Sequence, residues 1–315
     1  MSPRRPASAP TPWADRPRRK GRLTAGDVLH AHLATQLVEL RTRDPQARRD
    51  LPDGVHRMRV ATRRLRSALA TFRPLLDRTE IAPLRQELTW LAKALGAPRD
   101  AEVMLARLRA LVAQEPPELL LGNVMERLDS ALGGRHRAAH ADLVRCLDGE
   151  RYQRLLNALD SMVADPPFLA AARGAAAPTL ARLVRRTLSA LDRSMVAADQ
   201  ATPGPHQDEL FHQVRKDAKR ARYAVEAVGP VFGGPARRLA AAIEGAQETL
   251  GAFQDSVVTR EVLRELGAQH LAGENSFSFG RLHALEQQRA EQAATRWPEV
   301  RRSVSRPRLR RWLAG

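Results

Sequence analysis

Beyond Leu23, apolar residues recur every three or four positions along nearly the whole chain, and the β-branched alternation that builds strands is scarce. The pattern predicts helices over residues 25–42, 55–72, 81–95, 101–114, 118–146 and 150–163. Pro166-Pro167 then marks a joint, after which helices are expected over 179–198, 209–228, 235–250, 256–266 and 281–296. The fold class is therefore all-α, with one helical bundle over residues 23–165 and a second over 166–315. Residues 1–22 are rich in Pro and Arg and have little to bury, so they are expected to form a disordered basic tail that tethers polyanions weakly. Gly96 and Gly251 are placed to end one helix of each half, and Asp100 and Asp255 to cap the next.

Within this pattern one motif occurs twice, 156 positions apart. The first copy is His56, Arg59, Arg63, Arg64 and Arg66; the second is His212, Arg215, Lys219, Arg220 and Arg222. The matching prolines Pro74 and Pro230 keep the same offset, and Leu95-Gly96-Ala97-Pro98-Arg99-Asp100 reappears as Leu250-Gly251-Ala252-Phe253-Gln254-Asp255. Duplication of a half-chain is the simplest account. At about 100° per residue, His56, Arg59, Arg63 and Arg66 fall within an arc of about 80° and form a cationic stripe about 15 Å long. Met58, Ala61, Leu65, Leu69 and Phe72 occupy the other side, as Val214, Ala218, Ala221, Val225 and Val228 do in the second copy.

A basic helix face is often only solvated surface. Here Asp217 is the sole carboxylate inside either motif, and the acids that would compensate the cations one turn away are missing. Uncompensated like charge is costly, which points to an anionic partner. Composition agrees: 52 Lys and Arg stand against 35 Asp and Glu, a formal net charge of +17.

Other chemistry is poorly supplied. Aromatic residues are 4% of the chain, too few for a base-stacking platform. Cys146 is the single cysteine, read as a small packing residue, so a disulfide framework or a cysteine zinc site within the chain is excluded. His136 and His140 have the spacing of metal ligands on a helix, yet that helix also holds Arg135 and Arg137 and they are read as surface residues; no metal or cofactor is called for. No apolar run is long enough to span a bilayer and no secretory leader is recognisable, so no membrane is expected and the chain is read as soluble and cytoplasmic.

Taken together, the segments from Val55 to Arg66, from Leu95-Gly96 to Arg99-Asp100, and from Phe211-His212 to Tyr223 make the chain similar to the CHAD family, the conserved histidine α-helical domain, over roughly residues 23–313. That resemblance implies two antiparallel four-helix bundles related by internal pseudo-two-fold symmetry, with the basic helices lining a central groove or pore. It further implies binding of inorganic polyphosphate and association with polyphosphate granules. Carried over residue by residue, His56 and His212 are the signature histidines, and Arg59, Arg63, Arg64, Arg66, Arg215, Lys219, Arg220 and Arg222 the matching cations. Arg99, Arg182, Arg185 and Arg186 are candidate additional contacts, with Arg193 on the same helix. Gln254 stands where the family often has Arg, which puts a ligand role at that position in doubt. Lys216 and Arg57 are read as pointing away from the stripes, and Trp90 and Tyr223 as packing residues.

Two other readings suit the charge. Non-specific binding to a nucleic-acid backbone remains open, whereas sequence-specific readout is not expected without a recognition-helix, RNA-recognition or zinc-finger signature. A polyphosphate-processing enzyme would need metal-holding carboxylates or a phosphate loop, and neither G-x-x-x-x-G-K-[ST] nor His-Glu-x-x-His occurs. The sequence therefore reads as a binding module and not an enzyme.

Overall fold

The computed structural model describes residues 23–202, 204–269 and 276–314; the basic tail expected over 1–22 lies outside the described residues. Among the described residues eleven α-helices follow in order: α1 (Ala25–Arg48), α2 (Gly54–Thr71), α3 (Arg78–Ala94), α4 (Gly96–Val112), α5 (Val124–Asp148), α6 (Glu150–Ala164), α7 (Ala176–Gln200), α8 (Pro205–Ala227), the single turn α9 (Gly229–Phe232), α10 (Gly234–Ala268) and α11 (Phe277–Val304). Extended pairing among the described residues is confined to two isolated bridges, Thr24 with Ala175 and Leu76 with Phe168. The all-helical class read from periodicity holds.

Local chemistry sets the helix ends. Thr24 opens α1 with a capping box: its hydroxyl accepts from the Asp27 amide while the Asp27 carboxylate accepts from the Thr24 amide. Gly54 starts α2 hard against the end of α1, where a Cβ would lie 2.7 Å from the Gln46 carbonyl carbon, so only glycine lets the two helices meet this closely.

The two halves differ at one place the repeat did not anticipate. Two helices were expected over 235–250 and 256–266, but α10 runs unbroken through both, while its counterpart is divided at Leu95 into α3 and α4. Pro98 supplies the reason, having no amide hydrogen to bond the carbonyl four residues back and a ring that crowds it. Phe253 stands at the equivalent place in the second half and lets the helix continue. The capping roles assigned to the repeated segment are consequently wrong: Gly251 and Asp255 lie inside α10, and Gly96 and Asp100 lie within the first turns of α4.

Apolar faces of both halves share a single large core. Met58, Ala61, Leu65, Leu69 and Phe72 of the first repeat and Val214, Ala218, Ala221, Val225 and Val228 of the second are all at most 1% exposed and belong to one cluster. The joint at Pro166-Pro167 is tied back to the first half, since the Asp77 amide donates to the Pro167 carbonyl and the Leu169 amide to that of Leu75. A smaller cluster unites the ends of α4 and α5 with those of α10 and α11 around Leu108, Leu128, Leu263 and Phe279.

Beside this second cluster, Glu286 of α11 is fully buried and holds Arg107 of α4 at 2.5 Å, Arg289 at 2.9 Å and the Ser256 hydroxyl at 2.8 Å. Burial raises its carboxyl pKa, and the hydrogen bonds and charge of its partners outweigh that and hold it low. Glu286→Gln should cost about 2 kcal/mol of stability, because two arginines lose their shared counter-charge. A thermal melt reads this, and an unchanged midpoint would contradict it.

Candidate polyanion-binding site

Burial of the apolar faces of α2 and α8 on the common core turns their basic faces toward each other. Between them, closed by α3, α7 and the turn after α2, is a cavity of about 760 Å³. Nine of the described residues lining it are cations: Arg63 and Arg66 from α2, Arg73 from the turn, Arg85 from α3, Arg186 and Arg193 from α7, and Lys216, Lys219 and Arg220 from α8. Among the described residues lining it there is no carboxylate. A second cavity of about 640 Å³ between α3 and α6 mixes Arg151 and Arg154 with Glu80, Glu87 and Asp165, and Glu87 already holds Arg151 at 2.6 Å. Only the first concentrates one sign of charge.

The crowding leaves an electrostatic signature. Lys219 has its pKa lowered to about 7, first by burial and then by Arg63, Arg215 and Arg59, against which Asp255 pulls weakly upward. Arg63 is pushed down by burial and by Arg59, Arg66 and Arg215, and Arg85 by burial and by Arg73, Arg220 and Arg66. Residues of α2, α3 and α8 thus act on one another as a single cluster. Tyr223 relieves part of the strain without adding a negative charge: its ring lies 5.9 Å from the Arg63 and Arg64 guanidinium carbons and 5.4 Å from that of Arg222, within cation–π range.

The eight cations of the two motifs divide into three groups. Arg63, Arg66, Lys219 and Arg220 line the cavity. Arg59 and Arg215 sit next to it, each lying over a glycine and facing a carboxylate: Arg59 donates to Asp100 at 2.7 Å across Gly96, and Arg215 lies 3.7 Å from Asp255 across Gly251. The repeated Gly-to-Asp segment therefore positions the two arginines, which explains its recurrence better than helix capping does. Arg64 and Arg222 are turned aside to Glu226, at 2.9 and 3.3 Å, and Arg222 also bonds Glu244. The expected lack of compensating acids is thus corrected for these two, because Glu226 stands where the first half has Ala70.

His56 and His212 lie outside the cavity lining. The pKa of His56 is lowered by burial and by Arg99, that of His212 by burial and by Lys216 and Arg215, with Gln254 opposing. Arg99 itself pairs with Glu102 at 2.9 Å. Of the additional candidates, Arg186 and Arg193 line the cavity, whereas Arg182 and Arg185 are exposed beyond it. Lys216, read as pointing away, lines it as well, and Tyr223 belongs to the lining rather than to packing alone. Sequence reasoning missed Arg73 and Arg85, which nothing in a helical repeat marks. Trp90 packs under Arg151, whose guanidinium carbon is 4.4 Å from the ring.

His136 and His140 tie α5 to the end of α1 and to the first turn of α4. His136 hydrogen-bonds the Asp50 carboxylate at 2.7 Å and the Pro98 carbonyl at 3.1 Å, and His140 the Ala47 carbonyl at 2.8 Å. They are partly buried rather than free on the surface, and Cys146 likewise is only partly covered. Among the described residues, no helix is long and apolar enough to cross a membrane.

Comparison with known proteins follows the same lines. Two uncharacterised proteins of Mycobacterium tuberculosis, from strains CDC 1551 and H37Rv, are each 35% identical over 266 residues, 84% of this chain and 50% of theirs. The chain spans about half the length of these curated relatives. Among solved structures, PptA from Streptomyces chartreusis matches with a TM-score of 0.72 at 22% identity, over 89% of this chain and all of that one. The CHAD domain from the plant Ricinus communis matches with a TM-score of 0.70 at 22% identity, over 95% of this chain and 97% of that one. The family model for the CHAD domain matches residues 31–264, and with the duplicated motif, the helical fold and this agreement the chain belongs to the CHAD family.

Proposed function

We propose that this protein binds inorganic polyphosphate in the cavity between α2 and α8. The observation that carries the reading is the set of nine cations from α2, α3, α7, α8 and the turn after α2, gathered on one cavity without a lining carboxylate. A polyphosphate chain brings about one negative charge per unit on a flexible backbone, so successive phosphates can meet Arg63 and Arg66 on one side and Lys219 and Arg220 on the other. Arginine suits the task because its planar fork grips two phosphate oxygens at once and never loses its proton near neutral pH. Arg59 and Arg215, held by Asp100 and Asp255, border the site with guanidiniums that are fixed in place and partly neutralised.

The site is a holding site rather than a cutting one, since its described lining offers no carboxylate to carry a divalent metal against the chain. Recruitment to polyphosphate granules follows as the cellular expression of such binding. Titration of a fluorescent polyphosphate in competition with duplex DNA and RNA tests the assignment. Displacement by nucleic acid at equal phosphate concentration would move it to a general backbone-binding protein.

Affinity should depend on pH with a defined sign. Without ligand, Lys219 titrates near 7 and His56 and His212 are depressed, all through burial and neighbouring cations. A bound polyanion favours the charged forms, so the complex holds more protons than its parts and binding takes protons up. Affinity is therefore greatest on the acid side and falls roughly tenfold as pH rises from about 6.5 to 8.5. Calorimetry in buffers of different ionisation enthalpy measures the uptake, and proton release at about pH 7.5 would contradict the assignment.

A further inference from the structure

Only four of the fifty-two basic residues in this chain are lysines: Lys20, Lys93, Lys216 and Lys219. Lys219 takes the place that Arg63 holds in the first repeat, so it is the one point at which the two motifs exchange arginine for an amine. The exchange matters chemically because a guanidinium is never a nucleophile near neutral pH, whereas an amine freed of its proton is.

We propose that Lys219 is an acylation site that takes its acyl group from small acyl phosphates drawn into the cavity. The inference rests on reading that cavity as a phosphate-binding one. Lys219 lines it beside Arg63, Arg66 and Arg220, with Arg85 on α3 and Arg186 on α7 completing the cationic wall. The groups acting on the amine are Arg59 and Arg63 from α2, Arg215 from its own helix and, in the opposite sense, Asp255 from α10.

At its lowered pKa of about 7, the amine is half deprotonated at neutral pH. An unperturbed lysine is free in only roughly one molecule in three thousand. A phosphate dianion entering the cavity draws the amine toward its charged form, as a longer polyanion does, but it offsets only part of the charge of the nine lining cations, so the amine keeps a neutral fraction well above that of an exposed lysine. The nitrogen lone pair attacks the acyl carbon and forms the N–C bond as the C–O bond to phosphate breaks. Inorganic phosphate leaves with that electron pair, and the proton lost from nitrogen passes to it or to water. The amide removes a cation from the wall and extends into the cavity, which switches polyphosphate binding down.

The test treats the intact protein with acetyl phosphate at about pH 7.5 and follows acetylation of Lys219, Lys216 and Lys93 by peptide mass spectrometry. Lys219 should be acetylated at least about tenfold faster than Lys93, which is exposed on α3, and saturating polyphosphate should suppress the Lys219 rate while leaving that of Lys93 unchanged. Modification of Lys219 no faster than Lys93 overturns the proposal. So does preferential reaction with uncharged phenyl acetate but not with acetyl phosphate, which would leave a reactive amine without phosphate recruitment. A parallel calorimetric titration separates the two readings: polyphosphate bound with Lys219 unreactive removes the acylation site alone. Lys219 acetylated selectively with no polyphosphate bound keeps the site and removes the polyphosphate assignment.

Discussion

Replacing Arg63, Arg66, Lys219 and Arg220 together by alanine is expected to weaken polyphosphate binding by about a thousandfold or more near physiological salt. Each hydrogen bond from a cation to a phosphate oxygen contributes about 1.5–3 kcal/mol when its partner is charged. Four of them, taken even at partial additivity, exceed the roughly 4 kcal/mol that corresponds to a thousandfold change. Structural collapse is not the expected cause, because these side chains repel one another and Lys219 is held below its normal protonation. The fourfold variant should accordingly melt no lower than the parent. The contrast lies in residues of the same motif that carry their own counter-charge. Arg64→Ala and Arg222→Ala remove cations already bonded to Glu226, and affinity should change less than about fivefold. Arg182→Ala with Arg185→Ala, on the exposed side of α7, should change it less still. Equal losses across all these variants would mean that overall charge, not the cavity, binds the polymer.

A second large effect is expected from salt. Binding a polyanion releases the counterions condensed along it, and for a single flexible strand log K falls against log salt with a slope of about −0.7 per phosphate neutralised. Six to nine cations engaged in the cavity predict a slope of about −4 to −6, and so a loss of roughly 200- to 5,000-fold between about 0.05 and 0.2 M salt. The slope should also report which cations take part. Arg63→Ala should flatten it by about 0.7, whereas Arg182→Ala should leave it unchanged. A shallow slope of about −1 in the parent protein would imply that one or two phosphates are gripped and that most of the cationic wall is idle.

The helical class and the two buried faces were legible because an amphipathic helix writes its inward side at a spacing of three and four. Every apolar position read on the stripe helices lies in the core. What could not be read depends on contacts between distant segments. Asp100 and Asp255 were visible as a repeat, but their role as partners of Arg59 and Arg215 appears only when α4 and α10 lie against α2 and α8. Arg85 and Arg73 have no motif; Arg85 joins the site because α3 packs on α2, and Arg73 because the turn after α2 borders the same cavity. The two stripes are also less alike than their sequences. Glu226 replaces Ala70 and draws off Arg64 and Arg222, leaving their repeat-equivalents Arg220 and Arg66 in the cavity. Pro98, with Phe253 opposite it, marks where the two halves part, but Pro45, Pro83 and Pro298 sit inside unbroken helices, so a proline alone did not foretell the break.

The most direct test is a crystal structure of the protein with a polyphosphate of defined length. The account predicts phosphates threaded between α2 and α8, with oxygens of one chain bonded to Arg63 or Arg66 and to Lys219 or Arg220. A polymer lying along the exposed arginines of α7 with the cavity unfilled would contradict it.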